Sequence, residues 1–247
     1  MLPLKVLIVG AWFMALAAAE RLAPAANRPT ANRGRRLFNN LGLWAANTAI
    51  NPVITVPIAV AAAGVQLWSR PDMPFGSGLA FDLLLLDLWT YAWHRANHEW
   101  RWLWRFHRIH HLDEFLDTTS AARFHPGEVV ISALARAPLI VAAEVDLGSI
   151  LVFDAAVLVS AFFHHSNLRL PSGLEAALRS VFVTPSHHWV HHHARQHDTD
   201  SNYGALLTLW DRLFRSWSRS ERTRDMRIGV EDQKDTTLGG LAVAPFK

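Results

Sequence analysis

The apolar residues of this chain are gathered into runs too long for a soluble core of its size. Leu2 to Ala19 is apolar apart from Lys5, Leu41 to Leu67 forms a second run, and a third starts near Gly78 and reaches Trp93. A helix needs about 20 apolar residues to cross a hydrocarbon layer roughly 30 Å thick. The three runs therefore predict transmembrane helices, the second kinked at Pro52 and Pro57, where a backbone donor is missing. A shorter pair, Val129 to Ala143 and Ile150 to Phe163, gives about 15 residues each, or roughly 22 Å of helix at 1.5 Å per residue. Arg136 and Asp154 interrupt it. It reads as a hairpin, spanning or re-entrant, that returns the chain to the side it left.

The flanking charges set the orientation. Between Arg21 and Arg36 stand Arg21, Arg28, Arg33, Arg35 and Arg36, with no acid after Glu20. Such a loop stays in the cytoplasm under the positive-inside rule, whereas cleavage of the first run as a signal peptide would leave it outside. A retained first helix is the reading adopted. Helix three then ends on the cytoplasmic side, where Trp93, Trp100, Trp102 and Trp104 alternate with Arg95, Arg101, Arg105 and Arg108 as an interfacial segment does. The formal charge of +3 is spread over membrane flanks, and no basic domain suggests nucleic acid. With no cysteine in the chain, thiolate metal sites and cysteine nucleophiles are excluded.

All 14 histidines lie between His94 and His197. His94 and His98 are four apart and share a helix face. His107, His110 and His111 form a trio at spacings of three and four, and His188, His191 and His192 repeat it. On a helix each trio points toward one side. Such convergence is unfavourable for protonated rings and natural for neutral ligands around a cation. Eight imidazoles exceed what one ion takes, so two ions sharing the set are expected, with positions left open for substrate or oxygen. Imidazole suits zinc, iron, copper and nickel alike. Asp87, Tyr91, His94 and His98 share one face of helix three, which makes Asp87 a candidate partner for a ligand histidine.

At these residues the chain resembles the fatty acid hydroxylase/sterol desaturase superfamily of membrane di-iron enzymes. The Asp87–Tyr91–His94–His98 segment is similar to its HxxxH element, and His107-Arg-Ile-His110-His111 to its first HxxHH motif. Arg123-Phe-His125-Pro126-Gly-Glu128 resembles its RxHPxE turn, and His165-Ser-Asn167 its element after the hairpin. Thr184-Pro-Ser-His-His188-Trp-Val-His191-His192 resembles the last HxxHH, followed by Asp198, Asn202-Tyr203-Gly204 and Trp210-Asp211-Arg-Leu-Phe214. The resemblance runs from about Asp87 to Trp217.

It implies two iron ions, oxygen as co-substrate, an external redox partner of ferredoxin or cytochrome type, and hydroxylation or desaturation of a lipid or sterol-like substrate in a bacterial inner membrane. It adds His165 as a ninth ligand, with His164 as its hydrogen-bonded neighbour or its replacement. His125 either ligates or orients its loop, and His187, His193 and His197 sit behind the ligands or in solvent. Asp87, Tyr91 and Asn202 become supporting residues. The rival functions are a zinc-dependent membrane hydrolase, for which no HExxH occurs, and a metal transport or storage protein, whose ligands would line a transmembrane path.

The fold expected is all-α: an integral membrane protein whose helices carry a histidine-cluster cap on the cytoplasmic side. Residues 1–77 form the N-terminal transmembrane helices, 78–217 the catalytic region and 218–247 a polar tail. Reporter fusions after residues 38, 73 and 120 should read inside, outside and inside, and an outside signal at 120 would overturn this arrangement.

Overall fold

A computed structural model describes residues 2–247; Met1 and the side chains of residues 2–6, Lys5 among them, lie outside the description. The described residues are helical and contain no strand, only three isolated bridges. The long elements are α1 (Leu2–Leu22), α2 (Arg33–Ile50), α3 (Val56–Ala63), α4 (Phe75–Glu99), α5 (Arg101–His111), α6 (Pro126–Ala143) and α7 (Leu147–His165). Short helices follow: α8 (Ser172–Arg179), α9 (Pro185–His191), α10 (Gln196–Thr199), α11 (Leu209–Leu213) and α12 (Leu238–Val243). The region after Leu170 is thus mostly loop carrying short helices.

Three segments are long and apolar enough to cross a membrane: 33–63, 126–143 and 147–165. The first is α2 and α3 joined without a break by a π-helical turn, Asn51–Thr55. Pro52 has no amide hydrogen to give, and a wider turn absorbs the missing bond without ending the helix. At 18 and 19 residues α6 and α7 are longer than their apolar cores suggested, which makes α6 about 27 Å long. Their interrupting charges meet: Arg136 Nη1 lies 2.7 Å from Asp154 Oδ1 across the hairpin. Paired in this way, two groups that would be costly alone in hydrocarbon are tolerable. Asp82 of α4 is buried against Arg70 at 2.5 Å.

The bundle core lies between α3, α4, α6 and α7, where Ala59, Leu86, Ile140, Ile150 and Phe153 are buried together. α2 begins eight residues before its apolar run because its first turns serve the cap. Arg36, Asn40 and Asn47 share one face there. The Arg36 guanidinium pairs with Asp113 at 2.6 Å and Asp117 at 2.9 Å, Asn40 donates to Asp113, and Asn47 donates to the Phe124 carbonyl.

The tail is not a free polar segment. Leu241 of α12 is fully buried with Leu43, Ile109 and Leu112, which binds residues 238–244 to α2 and α5. Upstream, Asp235 receives Arg123 Nη2 at 2.6 Å, and Arg123 is wholly buried. The same guanidinium donates to the Ile109 carbonyl and to Asn40 Oδ1, so one side chain joins α2, α5 and the tail. Removing one partner of a buried ion pair leaves an uncompensated charge, which typically costs 3–5 kcal/mol. Asp235→Ala should therefore lower stability by about that amount, read as an earlier thermal transition of the detergent-solubilised protein; an unchanged transition would show the tail to be dispensable to the cap.

Candidate metal centre

The helices bring nine histidines into two adjoining nests. His94, His98, His107, His111 and His191 form one, and His110, His165, His188 and His192 the other; within each, one nitrogen per ring lies within 4.8 Å of all the others. The HxxHH trios do not point to one side, as their spacing suggested. His107 and His111 turn to the first nest and His110 to the second, while His188 and His192 turn to the second and His191 to the first. The reason is helical geometry. A step of four advances 40° and keeps a pair together, whereas a step of three falls back 60°, so the i+3 ring diverges from the i+4 ring by about 100°. Each trio therefore walls both nests. They meet where His111 and His192 stack, with ring centroids 4.2 Å apart.

Hydrogen bonds orient the rings. The Nδ1–H of His94 donates to the Tyr203 carbonyl at 2.8 Å, that of His191 to Ser201 at 2.6 Å, that of His110 to Arg123 at 3.1 Å, and that of His165 to Ala161 at 2.8 Å. A carbonyl can only accept, so Nδ1 carries the proton in each ring, and Nε2 is left as a bare lone pair. His107 Nδ1 is 2.7 Å from Glu128 Oε1, which fixes the same tautomer.

These assignments test whether the rings suit a cation. His110 Nε2 and His165 Nε2 stand 3.0 Å apart, and neither has a proton to share. His188 Nε2 lies 3.0 Å from His165 Nε2, and His192 Nε2 is 3.1 Å from His188 Nε2. The facing lone pairs of His110 and His165 repel at that distance unless a positive charge lies among them, and the Nδ1 atoms of His188 and His192 are buried with no acceptor. An ion with metal–nitrogen bonds near 2.1 Å and right angles between them spaces its ligands by about 3.0 Å. In the first nest Nε2 of His107, His111 and His191 and both nitrogens of His98 are buried without a hydrogen-bond partner. Burial normally demands that such atoms be satisfied. Two metal ions fit this donor set. Burial, reinforced by the neighbouring rings, holds His110, His111, His188, His191 and His192 well below the usual histidine range, so these rings are neutral at pH 7.

The other sequence-selected residues lie behind the nests. Asp87 bonds no histidine: its carboxylate accepts from the Leu206 and Leu207 amides and from Trp210 Nε1 at 2.8 Å. It sits two turns before His94 on α4, and its reach ends at the strap 201–218. Tyr91 Oη is 2.7 Å from Ser216 Oγ. Asn202, at φ 53°, ties the His187 carbonyl to the Ser218 amide. All three hold the strap whose Ser201 and Tyr203 carbonyls orient His191 and His94.

His125 belongs to neither nest. Its Nδ1 accepts from the Gly127 amide at the start of α6 and its Nε2 donates to the Ala242 carbonyl at 3.1 Å, so both nitrogens are used in docking the loop to the tail. His164 is also outside, with Nδ1 3.4 Å from Ser160 Oγ. His187 and His193 pair with Asp211 and Asp198, and His197 is exposed.

Sequence reasoning overlooked two carboxylates. Glu128, the acid of the RxHPxE turn, hydrogen-bonds a nest histidine, while Asp200 Oδ1 stands 3.5 Å from Nδ1 of His98. Asp211 accepts from the Tyr203 and Gly204 amides, Ser216 Oγ and His187 Nε2, and so shapes the strap. A Cβ on Gly204 would lie 2.7 Å from the Leu207 carbonyl and 2.9 Å from Asp211, which explains the glycine there. The available signal was the position of each acid inside a motif already dense in histidine.

Outer carboxylates of this kind are commonly worth 10- to 100-fold in metal affinity. Glu128→Gln should therefore lose metal about tenfold more readily to a chelator while remaining inserted and folded. Retention equal to wild type would make Glu128 merely structural.

The fatty acid hydroxylase family model matches residues 79–216, more than half of the chain. Similar curated proteins include the alkylglycerol monooxygenase of Caenorhabditis elegans, 32% identical over 65% of this chain and 31% of the relative. That of Danio rerio is 30% identical over 62% of this chain and 34% of the relative. The ornithine lipid hydroxylase OlsE of Rhizobium tropici is 28% identical over 72% of this chain and 54% of the relative. The chain thus spans about a third of the first two proteins and about half of the third. No solved structure matches it. The match encloses every nest histidine, together with Glu128 and the strap that orients the rings, and by it this chain belongs to the fatty acid hydroxylase family.

Proposed function

We propose that the protein is an integral-membrane, oxygen-dependent hydroxylase of a lipid substrate, drawing electrons from an external donor. The observation that carries this reading is the pair of histidine nests: in the first, inward nitrogens are buried without a hydrogen-bond partner, and in the second, Nε2 atoms crowd to 3.0–3.1 Å of one another. The metal we assign is iron, one ion held by His94, His98, His107, His111 and His191 and a second by His110, His165, His188 and His192. Bound there, iron would supply the redox chemistry that dioxygen activation requires.

The protein's own residues do the positioning. The carbonyls of Tyr203, Ser201, Arg123 and Ala161 and the Glu128 carboxylate each hold one ring proton, so the opposite nitrogens face inward before any ligand arrives. Asp87, Tyr91 and Asn202 keep the strap in place.

A groove of about 680 Å³ between α1, α4 and α7 supports a lipid substrate. Its wall includes Leu83, Leu84, Val159, Phe163 and Phe182, with Asp87 and Ser160 as its polar side chains. Both are already engaged, Ser160 Oγ donating to the Ala205 carbonyl. The volume suits one long alkyl chain. Phe163 precedes His164 and His165, so the groove follows α7 toward the second nest. Both kinds of relative are named for hydroxylating or monooxygenating lipids, which favours hydroxylation over desaturation. A cytoplasmic position of the nests is supported by the arginine-rich loop, since Arg36 is paired with Asp113 and Asp117 on the nest side.

The overall balance is RH + O₂ + 2e⁻ + 2H⁺ → ROH + H₂O. Iron-loaded protein in lipid vesicles, given a reductase system, should consume one oxygen per hydroxylated lipid. Zinc-loaded protein should be inactive, since zinc has no redox chemistry. Turnover at full rate without oxygen would overturn the reading in favour of hydrolysis.

A further inference from the structure

A cationic hollow beside the second nest has no part in the chemistry above. One wall is formed around Arg33 and Arg35, the other around Arg224, Arg227 and Lys234, and the two share Pro29, Glu114 and Phe115. The larger part encloses about 340 Å³. These five cations are exposed, and none has a carboxylate within salt-bridge distance among the described residues. Among the lining residues two acids are exposed, Glu114 and Asp225, and Glu231 and Asp232 are exposed beside Lys234.

The floor is aromatic. Phe115 and Trp189 are both buried and meet edge to face, with centroids 5.7 Å apart. Trp189 directly follows His188, and its indole N–H donates to the carbonyl of Ser166, which directly follows His165, at 3.2 Å. The floor of the hollow is therefore one peptide from two of the four rings of the second nest.

Two occupants suit positive charge: an acidic protein and an anionic membrane surface. Surfaces that bind membranes combine basic groups with apolar side chains that insert. Here exposed large apolar side chains stop at Leu22 and resume at Leu37, and stop again at Phe214 and resume at Val243. The two segments that supply these cations, 28–36 and 222–234, fall inside those gaps. An acidic soluble partner fits a basic face of this kind, which would steer its approach and its register.

We propose that this hollow docks an acidic one-electron carrier protein, and that Phe115 and Trp189 conduct its electrons to the nest of His110, His165, His188 and His192. The proposal rests on the hydroxylase reading, whose balance requires two electrons per turnover. The reduced carrier is oxidised by one electron at each docking and docks twice. No bond breaks in the carrier or in Trp189, and the two protons come from solvent.

The test uses the iron-loaded full chain in uncharged phosphatidylcholine nanodiscs, with an acidic plant-type [2Fe–2S] ferredoxin as probe. Ferredoxin reoxidation and lipid hydroxylation are followed separately. The Arg224→Glu/Arg227→Glu/Lys234→Glu variant should raise the KM for ferredoxin about tenfold with iron content intact, and lose most of its dependence on salt. Arg224→Lys/Arg227→Lys should restore the wild-type KM. Trp189→Phe, which keeps an aromatic ring of smaller size, should slow reoxidation without raising KM. A KM unchanged by charge reversal, or no saturable docking to the wild type, would overturn the proposal. Loss of binding to phosphatidylglycerol vesicles with an unchanged ferredoxin KM would assign the hollow to lipid headgroups instead. Ferredoxin reoxidised without hydroxylated lipid would leave the docking site standing and remove the hydroxylase reading.

Discussion

The structure depends on lone pairs that face one another. Nine imidazoles are packed so that ring nitrogens converge in two spaces, those of His94, His107, His110, His165 and His191 as bare lone pairs, an arrangement that neutral rings would not choose for themselves. Left alone it forfeits hydrogen bonds and adds repulsion, and each term costs more at low dielectric. A cation at each focus reverses both signs. Metal bound at the foci would add to the folding energy of the cap, and the outer hydrogen bonds keep the rings aimed at them.

Much of the holding of the rings falls to segments that carry no nest histidine. The strap 201–218 supplies two of the accepting carbonyls, and it is itself held by Asp87 from α4 and by Asp211 from its own end. Arg123 does the same work on the other side: its carbonyl orients His110, while its guanidinium ties α2, α5 and Asp235 together. A ligand helix of only seven residues, α9, could not keep its place without such supports.

The membrane accounts for the division of labour. In hydrocarbon every polar group must be satisfied within the protein, so the spanning segments are helices and Arg136 and Asp154 neutralise one another. Irregular backbone, with its exposed amides and carbonyls, is kept to the short turns joining the spanning helices and, above all, to the cap. There those free groups become the ring acceptors. α2 bridges the two regimes by carrying a polar face in its first turns and an apolar surface after them.

The sequence by itself determined the helical class, the existence of long apolar segments and the concentration of histidines, because hydrophobic length and i, i+4 spacing are local properties of a chain. It also carried the family motifs, which the match over residues 79–216 encloses. It could not say which ring serves which focus. The 100° between the third and fourth positions of a motif matters only once the opposite helix is in place. Nor could it tell Asp87 from Glu128 as the partner of a ring: both are buried acids in histidine-rich motifs, and only packing put Glu128 against His107 and turned Asp87 to Trp210. His125 looked like a ligand for the same reason, until the tail supplied the Ala242 carbonyl that occupies its second nitrogen. Those assignments hang on contacts between residues more than a hundred positions apart in two of these three cases, and such distances are closed by tertiary structure alone.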